Sequence, residues 1–138
     1  MAGTLIYIID DDKANNYLTR IMLEDAGLSD VKQFRQAPEA LAALQKAWDE
    51  KNEAEYPAII LLDINMPGMD GWGFLTEYRN LPGEFTKTIK IYMLSSSDYS
   101  GDHEKAKAFP EVLDFLDKPL TDDVAKWLKE KYFSPAFE

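Results

Sequence analysis

The run Ala58-Ile59-Ile60-Leu61-Leu62-Asp63-Ile64-Asn65-Met66-Pro67-Gly68-Met69-Asp70-Gly71 decides how the rest of the chain is read. Five apolar residues in a row lead straight into an acid, and a turn follows at once. An unbroken run of this kind predicts a strand buried on both faces, as at the centre of a parallel sheet. Pro67, Gly68 and Gly71 close the turn before the next helix. Open α/β sheets bind their ligands beyond the carboxyl ends of the strands. Asp63 therefore arrives at the rim of a rigid element, as a candidate nucleophile or metal ligand.

Working outward, the same pattern recurs. Thr4 to Ile9 is an apolar, β-branched run ending in Asp10-Asp11-Asp12. Ile89 to Leu94 ends in Ser95-Ser96-Ser97-Asp98, and Val112 to Leu116 ends in Asp117-Lys118-Pro119. Val31 to Phe34 is a shorter strand. Between the strands, apolar residues recur at helical spacing. Ala14, Leu18, Ile21 and Met22 predict one buried face, and Leu41, Leu44 and Trp48 another. A third helix surrounds Trp72, Phe74, Leu75 and Tyr78 and ends near Leu81-Pro82-Gly83. A polar helix is expected over Gly101 to Phe109. The last carries Val124, Trp127, Leu128 and Tyr132 on one stripe. Gly27 suits a helix stop, Pro38 a first turn, and Thr121 or Asp122 a start. Ser134 to Glu138 reads as coil. Strands alternating with helices predict a parallel sheet covered on both faces.

Composition narrows the chemistry. At 138 residues the chain suits one domain, with its core over about 4–132. It has no cysteine, which excludes disulfides, thiolate metal sites and cysteine nucleophiles. A net charge of −10 argues against binding nucleic acid or an anionic membrane. No signal peptide is visible, and no apolar run nears the roughly 20 residues that span a bilayer. A cytoplasmic protein is expected.

If all five strands run parallel, Asp10, Asp11, Asp63, Ser95 and Lys118 share one edge. Taken singly, each has a plainer reading: acids and serines after strands are commonly helix N-caps, and a loop lysine is commonly solvated. Asp12 is read as a cap and Asp70 as a turn former. Taken together they make a carboxylate cluster, and two unit charges about 4 Å apart interact by about 4 kcal/mol at an effective dielectric near 20. Such a cluster needs a cation or raised pKa values. Oxygen-only ligands with open positions suit Mg²⁺ better than Ca²⁺. A hard cation, an ammonium and a hydroxyl around a carboxylate are what an incoming phosphoryl group requires.

The motifs Ile8-Ile9-Asp10-Asp11-Asp12, Leu62-Asp63-Ile64-Asn65-Met66-Pro67-Gly68-Met69-Asp70-Gly71, Leu94-Ser95-Ser96 and Leu116-Asp117-Lys118-Pro119 stand in this order and spacing. In them the chain resembles a response-regulator receiver domain of two-component signalling, over nearly its whole length. The resemblance implies a flavodoxin-like, doubly wound α/β fold: five parallel strands in order 2-1-3-4-5 with five helices. It makes Asp63 the phosphoacceptor, with Mg²⁺ held directly by Asp11 and Asp63, by Asp10 largely through water, and by the backbone carbonyl of Asn65. Lys118 would pair with the phosphoryl oxygens, and Ser95 would bind one of them and act as a switch together with Phe115. Asn65 and Ser97 fall where the family varies and phosphoryl lifetime is set. A cis Lys118-Pro119 bond is implied as well.

The implied partners are a sensor histidine kinase or phosphotransfer protein and a downstream protein target. Neither the target nor phosphorylation-dependent dimerisation is legible. Three other readings compete: a receiver fragment of a larger regulator or hybrid kinase, a binding-only pseudo-receiver, and an Asp-nucleophile phosphatase of the haloacid-dehalogenase type. The phosphatase normally carries a second Asp two residues after the nucleophile, where this chain has Asn65. His103 and the three tryptophans suggest no site.

Overall fold

The computed structural model describes residues 3–95 and 104–133. Its five strands are β1 (Ile6–Ile9), β2 (Val31–Phe34), β3 (Ile59–Asp63), β4 (Lys90–Ser95) and β5 (Val112–Asp117). Every pairing is parallel, in the order β2-β1-β3-β4-β5. The helices are α1 (Lys13–Asp25), α2 (Ala37–Asp49), α3 (Gly71–Tyr78), α4 (Gly83–Thr86) and α5 (Asp122–Tyr132), with a 3-10 turn at Glu53–Glu55.

Alternation along the central strands feeds two separate cores. Tyr7, Ile9, Ile60, Leu62, Ile91 and Met93 face α2 and α3, meeting Leu44, Phe74, Leu75 and Phe85. Ile6, Ile8, Ile59, Leu61, Tyr92 and Leu94 face α1 and α5, meeting Leu23, Leu28, Ala125 and Leu128. All of β3 is buried, as its unbroken apolar run predicts. Each such side chain contributes about 1.5–3 kcal/mol relative to exposure.

The edge strand β5 carries an irregularity. Ile91 pairs with Val112, but Tyr92 pairs with Asp114, so Leu113 is an extra residue on the edge. This bulge lets Val112 and Phe115, three apart, pack on the same core. Leu113 itself is half exposed.

Several helix details differ from the sequence reading. α1 buries Asn16, Thr19 and Leu23, while Ala14 and Leu18 are exposed and Ile21 and Met22 only half-buried. The helix is turned so that Asn16 and Thr19 share its buried face with Leu23, while Ala14 and Leu18 of the expected stripe face outward. On α5 Ala125 and Leu128 are buried, and Trp127 is exposed and lies edge-on to Tyr92. α3 ends at Tyr78, and the extra turn α4 follows where a simple connection was expected. Its Phe85 is buried against Trp48 and Tyr56, which is what gives so short a helix an anchor. Residues 104–106 are helical, within the helix expected over 101–109, so six α-helical pieces stand among the described residues where five were expected. The start of that helix, His103, Ser96, Ser97 and the 134–138 tail lie outside the described residues.

Asp12 and Thr121 cap helices as expected, and Asp70, read as a turn former, is a cap as well. Asp12, Asp70 and Thr121 accept hydrogen bonds from Asn15, Gly73 and Val124 backbone N–H groups. α1 ends in a Schellman turn: Gly27 has φ +92°, and Leu28 N–H donates to the Leu23 carbonyl at 2.8 Å. Among the described residues, no helix is long and apolar enough to cross a membrane.

Candidate functional site

Parallel strands bring all their carboxyl ends to one edge, and the polar groups named from sequence meet there. One carboxylate oxygen from each of Asp10, Asp11 and Asp63 lies within 4.8 Å of the others. Lys118 reaches in from the end of β5, with Nζ 3.1 Å from Asp63 Oδ1 and 3.5 Å from Asp10 Oδ2. Its backbone N–H donates to the Ser95 carbonyl at 2.9 Å, which ties β5 to β4 at the cleft. Ser95 is buried at the tip of β4. The Lys118-Pro119 peptide is cis. Phe115 pairs in register with Met93 and is half-buried on the α2/α3 side.

The three acids are not equivalent. Asp10 is fully buried, and both its oxygens are engaged. Oδ1 accepts from the Asp12 N–H at 2.9 Å, and Oδ2 from the Asn15 amide at 2.6 Å. Asp63 is 2 % exposed, and its Oδ2 has no hydrogen-bond partner. It is one of only two buried side-chain polar atoms in that position among the described residues. Its other oxygen receives Lys118 and, at 3.4 Å, the N–H of Asn65, which lies on the exposed loop. Burial, then the Asp10 charge, push the Asp63 carboxyl up to about 7, against the pull of Lys118. For Lys118, pairing with the two carboxylates outweighs burial and raises its pKa.

The loop after β3 is held tightly. A Cβ on Gly71 would lie 2.7 Å from Met93 Cε, 2.8 Å from the Asp63 carbonyl and 3.1 Å from Ile64 Cα. Only glycine allows α3 to begin this close to the strand end. A groove of about 940 Å³ opens beside Asp11, lined also by Gln33, Arg35, Glu39 and Met69. Arg35 donates from Nε and Nη2 to the Asp11 carbonyl at 3.4 and 3.3 Å.

A set of amides behind the cleft was not anticipated. The buried Asn16 donates to the carbonyls of Asp10 (2.9 Å) and Phe34 (3.1 Å), and Gln33 donates to Asn16 Oδ1 at 2.7 Å. The one sequence signal for them is the Asn15-Asn16 pair, a turn beyond the acids, in a helix whose apolar stripe points elsewhere.

A buried carboxyl oxygen without a partner calls for a proton, a cation or an electrophile. An all-oxygen donor set on one open edge fits a hard divalent ion, and receiver domains bind Mg²⁺ at an acidic pocket of this kind.

Comparison with known proteins agrees with this geometry. The family model for the response regulator receiver domain matches residues 6–126. A two component response regulator from Cytophaga hutchinsonii superposes with TM-score 0.81 at 26 % identity, covering 94 % of this chain and 96 % of that one. A response regulator receiver protein from Dyadobacter fermentans gives TM-score 0.79 at 29 % identity, covering 97 % and 100 %. Response regulator PleD of Caulobacter vibrioides is 32 % identical over 117 residues, 85 % of this chain but 23 % of PleD. An uncharacterised 14.6 kDa protein of Leptolyngbya boryana is equally similar, over 83 % of this chain and 79 % of its own. Fold, cleft and family match converge: the chain belongs to the response regulator receiver domains, the phosphorylatable domains of two-component signalling.

Proposed function

We propose that Asp63 accepts a phosphoryl group from a sensor histidine kinase or a phosphotransfer protein, and that the charge it gains switches a protein-interaction surface. The observation that carries this is Asp63 itself: a buried carboxylate with one oxygen unpartnered, an ammonium on the other, and two more carboxylates alongside. In the transfer an Asp63 oxygen forms a bond to phosphorus as the bond from phosphorus to the donor's imidazole nitrogen breaks. That nitrogen keeps the electron pair, and the proton on the ring's other nitrogen lets the imidazole leave as a neutral ring. Lys118, 3.1 Å from Asp63 Oδ1, would meet the charge gained by the equatorial oxygens, and the Ser95 hydroxyl would bind one of them.

Asp11 and Asp63 would hold Mg²⁺ directly, Asp10 through water, and Asn65 by its carbonyl. Bound there, the ion neutralises phosphoryl and carboxylate charge. The product carries about −1.5 to −2 of charge, and Ser95 with Phe115 relays it to the faces of the 104–109 segment, β5 and α5. This is a local charge event biasing a two-state element. We read the 138 residues as one receiver unit in the cytoplasm, whose only chemistry is Mg²⁺-dependent self-phosphorylation and autodephosphorylation. Asn65, two residues past Asp63, offers no acid for a phosphatase. PleD and its like are longer regulators, so an output domain on the same polypeptide is the second reading; DNA-binding transcriptional regulator NtrC of Salmonella typhimurium is another, of which the chain spans 26 %.

Incubation with Mg²⁺ and acetyl phosphate or beryllofluoride is the test. The expected result is one adduct on Asp63, lost in Asp63→Asn. Labelling of that variant at the wild-type level rejects the assignment. Steady hydrolysis of phosphomonoesters would favour the phosphatase, and no adduct the pseudo-receiver.

A further inference from the structure

The N-terminus of α1 departs from the usual reciprocal cap. Asp12 is the N-cap and accepts from the Asn15 backbone N–H at 3.1 Å. In a capping box the side chain at Asn15's position would return to the N-cap backbone. Instead it reaches past the cap, and its Nδ2 donates to Asp10 Oδ2 at 2.6 Å. That same oxygen lies 3.5 Å from Lys118 Nζ, while Lys118 sits closer, at 3.1 Å, to Asp63 Oδ1. Asn15 and Lys118 therefore share one carboxylate oxygen, and Asn15 holds the shorter contact.

We propose that Asn15 is a positioning residue for the phosphoryl-accepting site: by anchoring the Asp10 carboxylate it keeps that group from closing further on Lys118, so that the ammonium stays nearer Asp63. The proposal rests on the reading of Asp63 given above. The setting of α1 supports it independently. Turning the helix to aim Asn15 and Asn16 at β1 leaves Tyr17 at 57 % and Leu18 at 44 % exposure, so apolar burial alone does not choose this face. Asn16 holds the Asp10 carbonyl and Asn15 its carboxylate, which fixes that residue from both ends. A carboxylate so anchored cannot swing to take the lysine.

Asn15→Leu keeps the branched heavy-atom skeleton, with more bulk, and removes the donor, while the backbone N–H that Asp12 caps is retained; Asn15→Ala is the backup should Leu crowd the site. Each is compared with wild type for unfolding midpoint, metal-free crystal structure and acetyl phosphate labelling rate at saturating Mg²⁺. The expected structure has Lys118 Nζ nearer Asp10 than Asp63, and the labelling rate falls about tenfold, the lower end for loss of a group that orients a site ligand. In a Lys118→Ala background the same Asn15 change produces no further fall, because the lysine it steers is gone. A merely structural role would lower both backgrounds alike. An unmoved Lys118, or an undiminished effect of Asn15→Leu in Lys118→Ala, overturns the proposal. Wild-type protein that takes no label overturns the reading of Asp63 instead, and the crystallographic comparison still decides the role of Asn15.

Discussion

Asp63 gives the sharpest pH-dependent expectation. Its carboxyl is pushed up to about 7 by burial and then by Asp10, against about 4 in an unfolded chain. Between those values the folded protein holds a proton that the unfolded chain releases. Stability of the metal-free protein therefore falls as pH rises from about 4 to 7 and levels off above. Asp63→Asn removes the ionisation and is expected to gain about 2 kcal/mol at pH 8, once screening in an open cleft is discounted. The gain shrinks steadily as pH drops from 7 toward 4; urea titrations across that range check it, and a pH-independent gain contradicts it. Lys118→Ala works the other way. It leaves two buried carboxylates facing each other, so a loss of about 1–3 kcal/mol at pH 8 is expected with the fold intact by circular dichroism. Phosphorylation-dependent output should be lost, and a fully responsive variant would contradict the role given to Lys118.

At the scale of elements, the loop from β3 into α3 is the least tolerant part of the site. A methyl group at Gly71 meets backbone at 2.8 and 3.1 Å, where nothing can rotate away. Gly71→Ala is expected to cost about 1–3 kcal/mol by overpacking, measured by denaturant midpoint, and to slow labelling of Asp63. The strands, their order and the shared edge were legible because buried parallel strands are long apolar runs with a polar residue at the exit. Asp10, Asp63, Ser95 and Lys118 each announce themselves that way. α1 was misread for the opposite reason. Periodicity assumes that apolar residues turn inward, whereas Asn16 is drawn in by the carbonyls of Asp10 and Phe34, which would otherwise lack its amide. Hydrogen bonding to strand ends overrode the apolar stripe. Trp127 differs likewise: Ala125 and Leu128 take the buried positions under α5, and the indole lies edge-on to Tyr92.

Across the whole molecule, ligation and folding are coupled. A net charge of −10, three of those acids in one cleft, favours any cation that binds only the folded state. Mg²⁺ at 100 times its dissociation constant is expected to add about 2.7 kcal/mol, and beryllofluoride more. Asp63→Asn should lose most of that increment in thermal melts, and a variant still stabilised in full would place the ion elsewhere.

The extra residue in β5 has a consequence beyond packing. An outermost strand is an open template on which a neighbouring chain can polymerise, and its danger lies in a long, evenly spaced row of free amides and carbonyls. Leu113 breaks that row after its first rung and bends the border away from flatness. The molecule thereby keeps an oily residue at its margin while denying fibrils a straight seam to grow along.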